Sequence, residues 1–95
     1  MSLEFEWDAK KAEGNYANHG IDFEEALTVF RDPLARIFED EEHAHVEPRE
    51  IIIGHSVKQR LLLVCFTVRG RRIRIISGRK ATQLERKDYE ENVRT

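Results

Sequence analysis

Apolar positions along the chain fall into two regimes, helix-spaced in the first third and strand-clustered from residue 50 onward. Phe23, Ala26, Leu27 and Phe30 recur at i, i+3, i+4 and i+7, which is one stripe of a helix. Asp22 and Glu25 give that helix a D-x-x-E capping pattern, and Asp32-Pro33 ends it. Upstream, Phe5-Glu6-Trp7 reads as a short strand. Asp8 then caps a helix over residues 9–19, with Gly20 and Ile21 as its left-handed stop and apolar contact. On that helix Ala12 and Tyr16 read as core-facing, and Lys11, Asn15 and His19 at i, i+4 and i+8 as a solvated stripe or a positive extension of a binding surface.

The second regime predicts strands at Ala35 to Glu39, at Glu50 to Gly54 and at Arg60 to Val68. The last turns at Arg69-Gly70-Arg71 into Arg72 to Ser77 as a β-hairpin. Runs such as Ile51-Ile52-Ile53 are continuous rather than alternating, so these strands should be covered on both sides. Thr82 and Glu85 form a second capping box, opening a polar C-terminal helix with Leu84 and Tyr89 as its apolar contacts. The expected fold is one α+β domain over residues 1–95: a mainly antiparallel sheet, two N-terminal helices and one C-terminal helix.

Composition narrows the class. With 95 residues, 40% hydrophobic and 36% charged, the chain has the make-up of a small soluble domain. No apolar run approaches the ~18 residues of a membrane span. The first residues lack the regions of a signal peptide, so a cytoplasmic location is expected. Cys65 lies in an apolar strand and reads as a buried, inert thiol.

Charge changes the picture more. Residues 69–80, RGRRIRIISGRK, hold six cations and no acid in a chain of net charge −2. Residues 1–50 carry 14 acids and 5 bases, whereas 51–95 carry 4 acids and 11 bases. This split suggests a phosphate-binding hairpin and an acidic surface for a basic partner. The period of two sets Arg72 and Arg74 on one strand face, where two guanidinium groups cannot be fully buried; an open groove beside the last helix is expected. Asp40, Glu41, Glu42, His43 and His45 lack the closed spacing of a metal centre, so no metal or other cofactor is expected.

In order along the chain, Phe5-Glu6-Trp7-Asp8, Lys11, Asn15, His19-Gly20, Phe23-Glu24-Glu25-Ala26 and Asp32-Pro33-Leu34-Ala35 resemble the BrnT-type toxins of bacterial type II toxin–antitoxin pairs. So do Asp40-x-x-His43 with Arg49 and Gly54, Arg74-Ile75-Ile76-Ser77-Gly78-Arg79-Lys80-Ala81, and Glu85-Arg86 with Tyr89. Two positions depart from that pattern: Gly78 stands where alanine is usual, and Pro48 where an acid usually precedes the arginine. The resemblance implies a RelE-like fold and metal-independent RNA cleavage that inhibits translation. It also implies a ribbon-helix-helix antitoxin, bound as a heterotetramer and carrying any contact with operator DNA. In such a reaction the 2′-hydroxyl attacks phosphorus, charge builds on the phosphoryl oxygens and the 5′-oxygen leaves as it is protonated. Arg74 and Arg79 are expected on the phosphoryl group with Arg49 as a third. His43 is the candidate leaving-group acid, and Arg72, Lys80, Lys11 and His19 are candidates for binding RNA. A non-catalytic nucleic-acid-binding or corepressor subunit would use the same arginines, as would a scaffold whose hairpin docks an acidic partner.

Overall fold

The computed structural model describes residues 3–41 and 47–93. Its local signals follow the sequence closely. Asp8 accepts from Lys11 N at 3.0 Å to open α1 (Ala9–His19), and Gly20 closes it at φ 70°, a left-handed conformation that glycine adopts without steric cost. Asp22 accepts from Glu25 N at 2.7 Å to open α2 (Phe23–Thr28), which runs into a single 3-10 turn, Val29–Arg31. Thr82 and Glu85 exchange bonds of 2.9 and 3.1 Å at the start of α3 (Gln83–Val93), completing the capping box.

Five strands form one sheet in the order β1-β5-β4-β3-β2. β2 (Arg36–Glu39), β3 (Glu50–His55), β4 (Leu61–Arg69) and β5 (Arg72–Lys80) make an antiparallel meander. β1 (Glu4–Glu6) joins β5 in parallel and places Glu4 beside Arg72 and Glu6 beside Arg74. Helices cover both faces. On one face α1 and α2 bury Ile21, Phe23, Ala26 and Val29 against Ile52, Leu62, Val64, Phe66 and Ile75. On the other, Tyr89 of α3 packs on Ile53, Leu61 and Leu63, with Val93 beside them. Covering both faces explains why β3 and β4 are apolar without alternation.

Three side chains depart from the sequence reading. Asn15, expected in a solvated stripe, is buried: its Nδ2 donates to Ile21 O at 2.9 Å and Gly78 O at 2.8 Å, and its Oδ1 accepts from Gly78 N at 3.1 Å. The amide thereby satisfies three backbone groups and pins α1 to β5. Tyr16, expected in the core, is 58% exposed, since Ala12 and Asn15 occupy the inward side of α1. Leu84 is exposed as well, and Tyr89 and Val93 carry the packing of α3 instead.

Glu25 has a second role besides its place in the capping pattern. Its buried carboxylate accepts from Ser56 Oγ at 2.6 Å and from Arg60 through two nitrogens, fixing the β3–β4 turn. The bonds from the guanidinium hold its pKa below the usual carboxylate range.

Candidate functional site

A β-bulge decides which arginines meet. Arg74 and Arg79 are five residues apart, and strict alternation would send them to opposite faces. The β4–β5 register shifts between Cys65 and Phe66, so Arg74, Ser77 and Arg79 pair with Thr67, Cys65 and Leu63, all of one parity. The extra residue turns Arg79 onto the α3 face that Arg72 and Arg74 already share.

On that face a cleft of about 170 Å³ is lined by Asp40, Arg49, Ile51, Leu63, Cys65, Ile76, Ser77 and Arg79. Arg49, just ahead of β3, and Arg79, near the end of β5, reach it from separate parts of the sheet. The groove expected beside the last helix therefore exists, but Arg49 and Arg79 line it rather than Arg72 and Arg74.

Carboxylates temper this positive character. Arg79 donates to both oxygens of Glu85, each at 2.8 Å, and through Nη1 to Lys80 O at 3.2 Å. The pairing holds the Glu85 carboxyl down to about 2. Glu85 thus does two things at once, capping α3 and fixing the plane of the Arg79 guanidinium. Among the described residues, Arg79 keeps two of its five N–H groups for another acceptor. Arg49 is less engaged: its Nε lies 3.8 Å from Glu47 Oε1, and among the described residues this buried nitrogen has no hydrogen-bond partner. Arg74 donates to Glu6 at 2.6 Å, Arg72 lies 3.8 Å from the same carboxylate, and Arg69 donates to Glu47 at 3.2 Å. The separation of charge along the sequence is accordingly weaker in space, because β1 and the residue before Pro48 bring acids of the first half against arginines of the second.

The other candidates divide as follows. Arg72 and Arg74 share the face of the cleft but stand toward the hairpin turn, outside its lining. Lys80 follows Arg79 by one residue and so takes the α1/α2 side, opposite Leu62 in register. Lys11 and His19 are exposed on α1, which packs on that same side. These three do not join the cleft, because the sheet separates them from it. His43 lies outside the described residues, as do Glu42 and His45. Cys65 is half-buried in the cleft; desolvation first, then the Asp40 carboxylate 3.9 Å from its sulfur, push its pKa up, so it stays a thiol. Trp7 packs edge-on against Phe23, as a core anchor does.

Sequence reading missed the Glu85 clamp and the bulge. The capping box was a usable signal for Glu85, since a residue folded back over the helix start already lies beside the end of β5. The bulge gave none, because Ile75-Ile76 is apolar on both sides.

The chain matches the family model described as "Ribonuclease toxin, BrnT, of type II toxin-antitoxin system" over residues 7–85. Among solved structures it is similar to the 1.1 Å crystal structure of the Brucella abortus ribonuclease toxin BrnT. The TM-score is 0.67 and the identity 26%, over 86% of this chain and 100% of that one. A search of curated proteins found no match.

Proposed function

Since the chain belongs to the BrnT family of type II toxin–antitoxin ribonuclease toxins, we propose that it cleaves RNA at the Arg49/Arg79 cleft by internal 2′-hydroxyl attack, without a metal, and so inhibits translation. The observation carrying this reading is the convergence on one cleft of two guanidinium groups, one from just ahead of β3 and one from β5. Arg79 is held by Glu85 with two N–H groups to spare, and Arg49 brings a buried Nε that lacks a hydrogen bond among the described residues. A phosphoryl group entering the cleft would satisfy those donors, and charge growing on its oxygens at the transition state would strengthen each bond.

In this mechanism Arg49 and Arg79 stabilise the phosphorane-like charge. Arg74 and Arg72, on the same face toward the hairpin turn, hold the flanking backbone. Arg74 also pairs with Glu6 and stands outside the cleft lining, toward the hairpin turn, which makes it the weaker of the sequence candidates for the phosphoryl group. His43 remains the proposed acid for the departing 5′-oxygen on sequence grounds alone. The proposed partner is a ribbon-helix-helix antitoxin in a heterotetramer.

Arg49→Ala and Arg79→Ala test the assignment. Each removes a transition-state donor, for which a loss of roughly 10²–10³ in cleavage rate is expected, and growth inhibition on expression should disappear while the circular dichroism spectrum is retained. A folded Arg79→Ala protein that cleaves and inhibits growth like the wild type would remove the cleft from the mechanism.

A further inference from the structure

β2 is an edge of the sheet, and its apolar side chains are exposed. Leu34, Ile37 and Phe38 are 58%, 55% and 48% accessible, three large hydrophobic residues within five positions. An edge strand that is both open and apolar ordinarily carries charge or a covering element against unwanted pairing. Here Arg36 and Glu39 bracket the apolar pair, and Phe38 and Ile51 line a broad depression of about 670 Å³ with Glu39, Asp40 and Glu41 at its rim. Asp40 and Ile51 also line the Arg49/Arg79 cleft, so the two hollows share a wall.

A second copy of this chain fits the edge poorly. A two-fold axis that pairs β2 with itself must set residues of the same sheet face opposite one another. Register with β3 puts Arg36 and Phe38 on one face and Ile37 and Glu39 on the other. Self-pairing centred on Ile37 or Phe38 stacks that residue on its twin, but its flanking pairs then set Arg36 against Phe38 or Ile37 against Glu39, charge against hydrocarbon. Nucleic acid is disfavoured by the carboxylates of the rim. A different segment is not bound by that symmetry: it can set apolar side chains opposite Ile37 and Phe38, which lie on opposite faces, and cations opposite Glu39 and near Glu41.

We infer that the β2 edge is where the antitoxin docks, adding as a sixth strand an extended segment that is apolar opposite Ile37 and Phe38 and cationic beside Glu39 and Glu41. The inference rests on the toxin–antitoxin reading of the family and assigns it a surface. Main-chain hydrogen bonds along the edge supply affinity, and the depression selects the side chains. Because the depression shares Asp40 and Ile51 with the cleft, a strand seated there puts the antitoxin's body over the Arg49/Arg79 opening. Inhibition follows from bulk, and the arginines need not be contacted.

The test uses the purified toxin–antitoxin complex and the free toxin. In the complex, amide hydrogen exchange of Arg36 to Glu39 should slow relative to the free chain. The Phe38→Ser substitution and the Glu39→Lys/Glu41→Lys pair should each weaken binding by about tenfold, the charge reversal mainly through slower association at low salt. Circular dichroism and RNA cleavage by the free variants should be unchanged. Unaltered exchange at β2, with both variants binding normally, overturns the inference, as does loss of binding in Arg49→Ala or Arg79→Ala alone. Cleavage by free wild-type toxin is scored separately, so a chain that binds antitoxin at β2 but cuts no RNA defeats the ribonuclease reading and leaves the docking surface standing.

Discussion

Glu85→Gln removes the charge that clamps Arg79 while leaving an oxygen that can still accept from Thr82 N, so it separates the clamp from the helix cap. The carboxyl is held at about 2 against an ordinary 4.5, chiefly by the bond from Arg79. At face value that displacement corresponds to about 3 kcal/mol. With Arg79 42% exposed, solvent screening lowers the figure to about 1–2 kcal/mol. Because the folded value is depressed, this stability is fully present above the unfolded carboxylate range and is lost as pH falls toward 2. Urea unfolding should show the variant about 1–2 kcal/mol less stable than wild type at neutral pH, with the gap closing on acidification. Cleavage kinetics should divide. Without its clamp Arg79 is poorly oriented, so kcat falls roughly tenfold to a hundredfold. With one negative charge gone beside the cleft, KM stays level or falls. A variant with raised kcat would show that Glu85 restrains Arg79 from substrate, and one with unchanged stability at all pH values would show that the pair contributes nothing.

The two strand glycines make opposite predictions. A Cβ at Gly54 would meet Ala35 Cβ at 2.8 Å and Asp32 Oδ2 at 3.0 Å, so Gly54→Ala should cost about 1–3 kcal/mol in thermal or urea unfolding. A Cβ at Gly78 would meet nothing nearer than Ala26 Cβ at 3.4 Å, so Gly78→Ala should be neutral or stabilise by up to about 1 kcal/mol. Asn15→Ala strands three backbone groups at the α1–β5 junction and should destabilise by about 2–4 kcal/mol; a cost below about 0.5 kcal/mol would mean that water replaces the amide.

What could be read from sequence was mostly what is local. Caps at Asp8, Asp22 and Thr82 and the stop at Gly20 involve neighbours three or four residues apart, and each has a distinctive residue type. The meander was legible because apolar runs separated by turn residues allow few alternatives. Pairings across long stretches of sequence were not. Nothing in Phe5-Glu6-Trp7 says that β1 lies parallel to β5, yet that pairing neutralises Arg74 with a carboxylate 68 positions away. Asn15 was misplaced for a related reason: a polar residue on a helix reads as solvent-facing unless the backbone groups it will satisfy are known. Arg49 and Arg79 were both nominated from sequence, but their meeting depends on the bulge and on β3 lying beside β4.

The central claim is that the cleft's arginines serve an attack by the substrate's own 2′-hydroxyl. Purified toxin should be incubated with a defined RNA in EDTA and the new ends identified by mass spectrometry. The account predicts cleavage that persists in chelator, with 2′,3′-cyclic phosphate on one fragment and 5′-hydroxyl on the other, and no such products from Arg49→Ala or Arg79→Ala. Fragments ending in 3′-hydroxyl, or activity abolished by EDTA and restored by magnesium, would contradict it.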